Sequence, residues 1–402
     1  MPNDWLLVAG VAVGSGVNDN LTRYMPAFGN LGTPTATEAI YQVMVRDFYT
    51  WKNLYVRVIT NTITDVAGAV FRSRVATATN GNQVVTYGSD ETGVKEDTSN
   101  TDSLADGALI EYQVVTATEA GTNTVTFTII SSLLAHSGQI NIQGSNGNAP
   151  SLTVDAYLLI AGRPLSNTTE DNNEVMIRQA ATWSRLYTYV TSNTGTGSTV
   201  ITDRKNNAAG GQSVSYATTE VGAKEDTSNS TSYAAGDTAD FFVDITGTVT
   251  IAPELVTCET SGGGLRFITN SATGIAVANY YPLNGPTTTQ ATEANVGVKS
   301  RGTQTFKNLY VRVGANAQDN NTAIAFREDA SSTISVTYAA AETGVKEETS
   351  TTASPTSTEL LNYAVLPTGA GNITASLISI EQVGDARVVK DIIGVGVVPF
   401  AR

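Results

Sequence analysis

A single cysteine, Cys258, and a single histidine, His136, stand among 402 residues. One cysteine excludes an intrachain disulfide, which suits a chain made in a reducing compartment. The two together cannot supply the three or four Cys or His ligands of a zinc site. Any Ser-His-Asp or Cys-His arrangement would rest on His136 alone, an incidental boundary residue beside the apolar Leu133–Ala135. Cys258 reads as an ordinary semi-buried strand residue. Neither a phosphate-cradling GxxxxGK[ST] nor a strand–GxGxxG–helix unit is present.

Charge is scarce as well. Asp, Glu, Lys and Arg make up 15% of the chain, against roughly 25% in ordinary globular proteins. The balance is −14, with no basic cluster or arm, so a nucleic-acid backbone and an anionic membrane would both be repelled. The acidity is spread along the chain and reads as a solubility device. Long hydrophobic runs are missing too. Trp5–Val13 follows Asp4 instead of a basic region and is too short to span a bilayer. It resembles Asp155–Gly162, so both are expected to be buried strands, and no export signal of the chain's own is expected.

What is present is repetition. Lys52–Val58 (KNLYVRV) returns unbroken as Lys307–Val313, with a looser copy, SRLYTYV, at Ser184–Val190. Glu91–Asn100 (ETGVKEDTSN) is echoed at Glu220–Asn229 and Glu342–Ser350. Glu38, Glu170 and Glu293 each precede Leu54, Leu186 and Leu309 by 16 residues, and those leucines precede Arg72, Arg204 and Arg327 by 18. Tyr87, Tyr216 and Tyr338 stand 8 residues before Lys95, Lys224 and Lys346. Only the Arg-to-Tyr interval varies, at 15, 12 and 11 residues, which predicts a hairpin tip there. A repeat this long, without a short solenoid period, implies one domain copied in tandem. The spans expected are 1–138, 139–264 and 265–402, linked by His136–Asn148 and Ser261–Gly264.

Within a copy, Leu54, Val56 and Val58 alternate with Tyr55 and Arg57, a period of two that marks a half-buried strand. Runs such as Ala69–Arg72, Leu109–Val115 and Thr124–Ile130 read as further strands, with turns at Asn80–Asn82 and Ala105–Gly107. Thr37–Phe48 reads as strand for its β-branched and aromatic content. Short strands at intervals of roughly 8–12 residues predict an all-β chain of three tandem antiparallel β-sandwiches, jelly-roll-like or immunoglobulin-like.

Candidate functional residues follow from the strand faces. Tyr55, Arg57, Tyr187, Tyr189, Tyr310 and Arg312 are expected on the outer face of the repeated strand, as solvated residues or as interface anchors. The repeated Lys-Glu-Asp/Glu-Thr-Ser segment reads as a loop whose lysine pairs with a neighbouring carboxylate. Asp97, Asn100 and Asp102 are the alternative there, as hard oxygen ligands for calcium, though their spacing matches no EF-hand loop. Trp51 and Trp183 are the candidate sugar platforms of a glycan-binding module; Phe306 stands at the matching place in copy three, and a core plug is the simpler reading of all three.

The order Asn-Leu-Tyr-Val-Arg-Val, hairpin, Val-x-Tyr, Thr-Gly-Val-Lys-Glu-Asp-Thr-Ser-Asn and Ala-Ala-Gly-Asp resembles tandem β-sandwich domains of bacteriophage virion proteins. Copy two shows the tail best, as Lys224–Ser230 and Ala234–Asp237, whereas copy three loses the Gly-Asp around Ser354–Thr356. The resemblance implies a non-enzymatic structural part on the capsid exterior or tail. Its partners would be other virion proteins and copies of itself, with assembly in the host cytoplasm. It transfers no functional residues. A glycan-binding or adhesive surface module is the alternative.

Overall fold

The computed structural model describes residues 3–119, 122–137, 140–147, 151–162, 166–262, 265–285, 290–301 and 304–383. The expected boundaries after residues 138 and 264 lie outside these residues, as do positions 384–402 of the third span. Eight strands build the first repeat: β1 (Asn3–Asn18), β2 (Thr22–Met25), β3 (Tyr49–Asn61), β4 (Ala69–Ala76), β5 (Thr79–Tyr87), β6 (Gly93–Leu104), β7 (Leu109–Thr116) and β8 (Thr124–His136). The second repeat has β9 (Ile140–Asn146), β10 (Ala156–Leu158), β11 (Ala181–Gly195), β12 (Thr199–Lys205), β13 (Ala208–Tyr216), β14 (Gly222–Tyr233), β15 (Thr238–Ile245) and β16 (Val249–Ser261). In the third are β17 (Leu265–Ile275), β18 (Asn279–Tyr281), β19 (Thr305–Asn316), β20 (Thr322–Glu328), β21 (Ser331–Tyr338), β22 (Gly344–Ala353), β23 (Leu360–Pro367) and β24 (Ile373–Val383).

Hydrogen bonding orders the first repeat as β1-β8-β3-β6 in one sheet and β2-β7-β4-β5 in the other. The same two orders recur as β9-β16-β11-β14 with β10-β15-β12-β13, and as β17-β24-β19-β22 with β18-β23-β20-β21. First strand beside last, with the third and sixth beyond them, is the jelly roll; an immunoglobulin sandwich pairs its strands otherwise. All pairings among these 24 strands are antiparallel. Short two-residue strands, such as Val43–Met44 beside β7, extend the second sheet.

The alternation read for the repeated strand is present, with a phase change. Leu54, Val56 and Val58 lie in the sandwich core with Trp51, which is fully buried. Asn53 takes φ of 60° and shifts the side-chain phase by one, so Trp51 and Leu54 face the same way although three apart. Arg185 and Asn308 repeat the device at φ of 56° and 55°. Trp51, Trp183 and Phe306 are core plugs, packed on Tyr112, Tyr233 and Phe326 with ring centroids 5.2, 4.6 and 4.9 Å apart.

Several expectations need correcting. The Lys-Glu-Asp-Thr-Ser segment is not a loop: it runs within β6, β14 and β22. Opposite Asn53 the strand bulges, since Lys52 pairs with Thr101 and Leu54 with Asp97. Thr37–Phe48 contains a short 3-10 helix, Glu38–Ile40, because Glu38 is drawn to an arginine and away from any ladder. His136–Asn148 is mostly strand, with β9 paired along β16. Trp5–Val13 and Asp155–Gly162 are not counterparts: the first lies in β1, whereas Ala156–Leu158 forms β10 of the other sheet.

The elastic interval also has a different cause. The structural partner of Arg204 and Arg327 is Arg74, not Arg72. Arg74 Nε donates to Glu38 at 2.9 Å, as Arg204 does to Glu170 at 2.8 Å and Arg327 to Glu293 at 2.6 Å. Each guanidinium also stands over a tyrosine ring, Tyr24, Tyr157 or Tyr280, at 5.6–5.7 Å from the centroid. Each hairpin tip is two residues in all three copies; the second hairpin strand bulges in each, by one residue less in β21 than in β5 and β13, and β4 carries a further bulge between Arg74 and Ala76. Gly81 and Gly210 sit in the bulges of β5 and β13. A Cβ there would come within 2.1 Å of Ser73 Oγ and 2.4 Å of Asp203 Oδ1.

Candidate functional site: the seams between repeats

The expected interface residues share one face, the outer side of the β1-β8-β3-β6 sheet and its two counterparts. That face is not solvated. Tyr55 is 1% exposed and Tyr187 6%, while Arg57, Tyr189, Tyr310 and Arg312 are half-buried. The partner is the neighbouring repeat of the same chain. Alternation had correctly excluded these residues from their own sandwich core; it could not show that a second core would form outside it.

Three apolar seams result. Tyr55, Leu6, Val8, Ile129 and Leu133 of repeat one join the core cluster of repeat three. Ile142, Tyr187 and Leu255 of repeat two join that of repeat one, with Tyr189 packed against it. Phe267 and Leu377 of repeat three join that of repeat two, with Tyr310 packed against it. One kind of face meets one kind of receiving edge in the order one to three, three to two, two to one. Such heterologous contacts either propagate or close into a ring, and here they close.

Ion pairs trace the same cycle. Arg46 Nε donates to Glu225 Oε1 at 2.7 Å, its Nη2 reaching Oε2. Arg178 pairs with Glu347. Arg301 pairs with Glu96, which Lys299 also meets at 2.9 Å. The three arginines lie eight residues before Leu54, Leu186 and Leu309, and the three glutamates are the second acidic-segment residue of each copy. Paired and half-buried, such charges fix register and orientation more than they add stability. The repeating Arg eight residues ahead of the leucine was the available sequence signal for this cycle, and residue spacing alone did not reveal its partner.

The acidic segments have structural work on both sides. Lys95, Lys224 and Lys346 bond Glu91, Glu220 and Glu342 at 2.6, 2.6 and 2.7 Å. Each lysine also sits over Tyr87, Tyr216 or Tyr338 at 5.0–5.3 Å. Those tyrosine hydroxyls donate to the carbonyls of Gly93, Gly222 and Gly344 at 3.0–3.1 Å. The local pairing expected for the lysine is therefore present in all three copies.

Asp97 and Asn100 bond each other, whereas Asp102 has other partners. Asp97 accepts from the main-chain N–H of Val84, Ser99 and Asn100 at 2.9–3.2 Å and from the Asn100 amide at 2.9 Å. Burial acts to raise its pKa, but these donors win and hold it below the usual carboxylate range. Asp102 turns to Ser73 and Gln83, at 2.6 and 2.9 Å. Among the described residues no group of three or more His, Cys, Asp or Glu is placed to hold a metal ion. His136 lies 3.3 Å from Asp47 and against the Tyr49 ring, and Cys258 is buried.

A second set of carboxyls lies inside the repeats. Burial pushes Glu111 up to about 10, with Glu38 adding to the rise, and pushes Asp240 up to about 9, with Glu170 and Glu174 adding to it. Asn362 fills the same place in repeat three: it pairs with Arg327 across the sheet as Asp240 does with Arg204 and Glu111 with Arg74. A neutral amide at the equivalent site shows that the pocket accepts an uncharged group.

No family model matches this chain, and no curated protein does. Among solved structures, a chain from the atomic structure of Sulfolobus Turreted Icosahedral Virus is 13% identical. The match covers 84% of this chain and 80% of that one, with a TM-score of 0.16, at which the likeness carries no argument.

Proposed function

We propose that this chain is a non-enzymatic structural protein of a bacteriophage virion, displayed on the capsid exterior or the tail. It would be assembled in the host cytoplasm and act by contact with other virion proteins and with copies of itself. The observation that carries this reading is the closed cycle Arg46–Glu225, Arg178–Glu347 and Arg301–Glu96. It locks three jelly rolls into a single-chain ring with approximate threefold repetition. A ring of this kind presents three near-equivalent outer surfaces, suited to a lattice or axis that offers three near-equivalent contacts. Modest contacts repeated three times on a rigid frame gain avidity without one tight site. The jelly roll serves capsid and lectin domains alike. The aromatic residues named for a sugar platform, Trp51 and Trp183, are buried, which leaves the glycan-binding alternative without its candidate site.

Purified particles probed by immunogold electron microscopy with an antibody to this chain test the reading. Regular labelling of the head or tail is expected. Absence of the chain from purified particles, or polysaccharide turnover by the isolated protein, would overturn it.

A further inference from the structure

The three seams are alike in plan but differ in chemistry at a buried position of the last strand of each repeat. Leu133 of β8 pairs in register with Lys52, two residues before Leu54, and is fully buried in the seam between repeats one and three. Its counterparts are Glu259, paired with Ser184, and Glu381, paired with Lys307. Glu259 is 8% exposed and Glu381 1%. A site that takes leucine in one seam thus holds a carboxyl group in the other two, and both of those seams belong to repeat two.

We infer that Glu259 and Glu381 form a proton-controlled latch, which holds repeat two against its neighbours when protonated and loosens it as pH rises from the acid range towards neutrality. The leucine seam between repeats one and three stays closed throughout.

The surroundings of each group support this. Glu259 receives the Arg46 main-chain N–H at 3.0 Å and lies 3.4 Å from Arg185 on β11. Asp47 and Asp106 of repeat one face it with like charge, and the Arg46 guanidinium is already engaged by Glu225. Glu381 accepts from the Asn308 amide, while its Oε1 has no hydrogen-bond partner. Lys307 on β19 and Arg178 of repeat two favour its charge, and Glu347 on β22 opposes it. Burial outweighs the favourable neighbours and lifts both carboxyls to about 7.

The sign follows. Below the ordinary carboxylate range, both folded and open forms carry the proton. Between there and about 7, only the closed seam retains it, so closure weakens with each rise in pH; above 7 the loss is complete.

Amide hydrogen exchange on the full chain, corrected for intrinsic rates, tests the latch between pH 5 and 8. Protection along β16 and β24 and at Val175–Met176 should fall on the order of ten- to a hundredfold. Protection along β1 and at Val298–Lys299 should change less than about twofold over the same interval. Glu259→Leu with Glu381→Leu should flatten the profile; if that pair folds poorly, Glu259→Gln with Glu381→Gln should do the same. Glu111 and Asp240 are untouched in these variants, so their titration cannot account for the difference. Leu133→Glu should confer the pH dependence on the third seam. Equal protection at all three seams across the range, or a wild-type profile in the folded double variant, would overturn the latch.

Discussion

The hydroxyl of Tyr55 donates to the carbonyl of Gly297 at 3.3 Å, joining residues 242 positions apart. With the Arg301–Glu96 pair and the apolar seam, it is one of the contacts that tie the first repeat to the third and turn a tandem array into a closed ring. Tyr55 also contributes its ring to the apolar cluster of repeat three. Tyr55→Ala should therefore lower global stability by about 2–4 kcal/mol, through lost burial and an unfilled cavity at the seam. Tyr55→Phe should lose only about 1 kcal/mol, the hydrogen bond. Urea unfolding followed by tryptophan fluorescence checks both; a surface-like loss below about 0.5 kcal/mol for Tyr55→Ala would show that the seam is not closed in solution.

The Arg46–Glu225 pair is half-buried on both sides. Arg46→Ala and Glu225→Ala should each cost about 1–3 kcal/mol, because the remaining charge is left partly desolvated. The double variant should cost less than the sum, with a coupling of about 1 kcal/mol or more in the thermodynamic cycle. Additive losses would show that the two side chains do not meet.

Glu111 is carried as the neutral acid, since burial and Glu38 lift it to about 10. The unfolded chain ionises it in the ordinary carboxylate range, so stability from this group is present below about 4.5 and is lost progressively as pH rises towards 10. Glu111→Gln removes that loss and puts a neutral amide donor in place of the acid's O–H, as Asn362 supplies to Glu293 in repeat three. The variant should match the wild type near pH 4.5 and exceed it by on the order of 2 kcal/mol at pH 8, in urea midpoints measured across the range. A constant difference at all pH values would mean that Glu111 is ionised in the fold.

Asp97 organises the bulge of β6 through main-chain amides and Asn100. Asp97→Ala should cost about 1–2 kcal/mol by leaving those donors unpaired. If amide donors and not calcium satisfy this carboxylate, adding calcium or a chelator should leave the melting temperature of the wild type within about 1 °C, since a ligand bound only by the folded state would raise it. A calcium-dependent rise of several degrees, lost in Asp97→Ala, would restore Asp97, Asn100 and Asp102 as a metal site.

The repeat was legible in sequence because each landmark performs the same local task three times. Lys95 reaches Glu91 and Tyr87 within a few residues, so spacing alone preserved the arrangement in Lys224 and Lys346. Arg74 was missed because two extra residues stand before it in the first copy. Arg72 fell at the right count while Arg74 made the contact with Glu38. Counting cannot see a bulge, whereas the ion pair and the tyrosine ring can.

Alternation in Leu54–Val58, turn residues and the tandem copies determined from sequence alone that the chain is an all-β array of related sandwiches, and which face of the repeated strand points inward. Both follow from local physics: side chains alternate across a strand, and apolar faces must be covered. Strand order, and with it the jelly roll, was decided only by pairings between distant segments such as β1 with β8. The fate of Tyr55, Tyr187 and Tyr310 was decided at a still longer range. An outward tyrosine looks the same in sequence whether it meets water or another repeat, and it was ring closure that supplied the second surface.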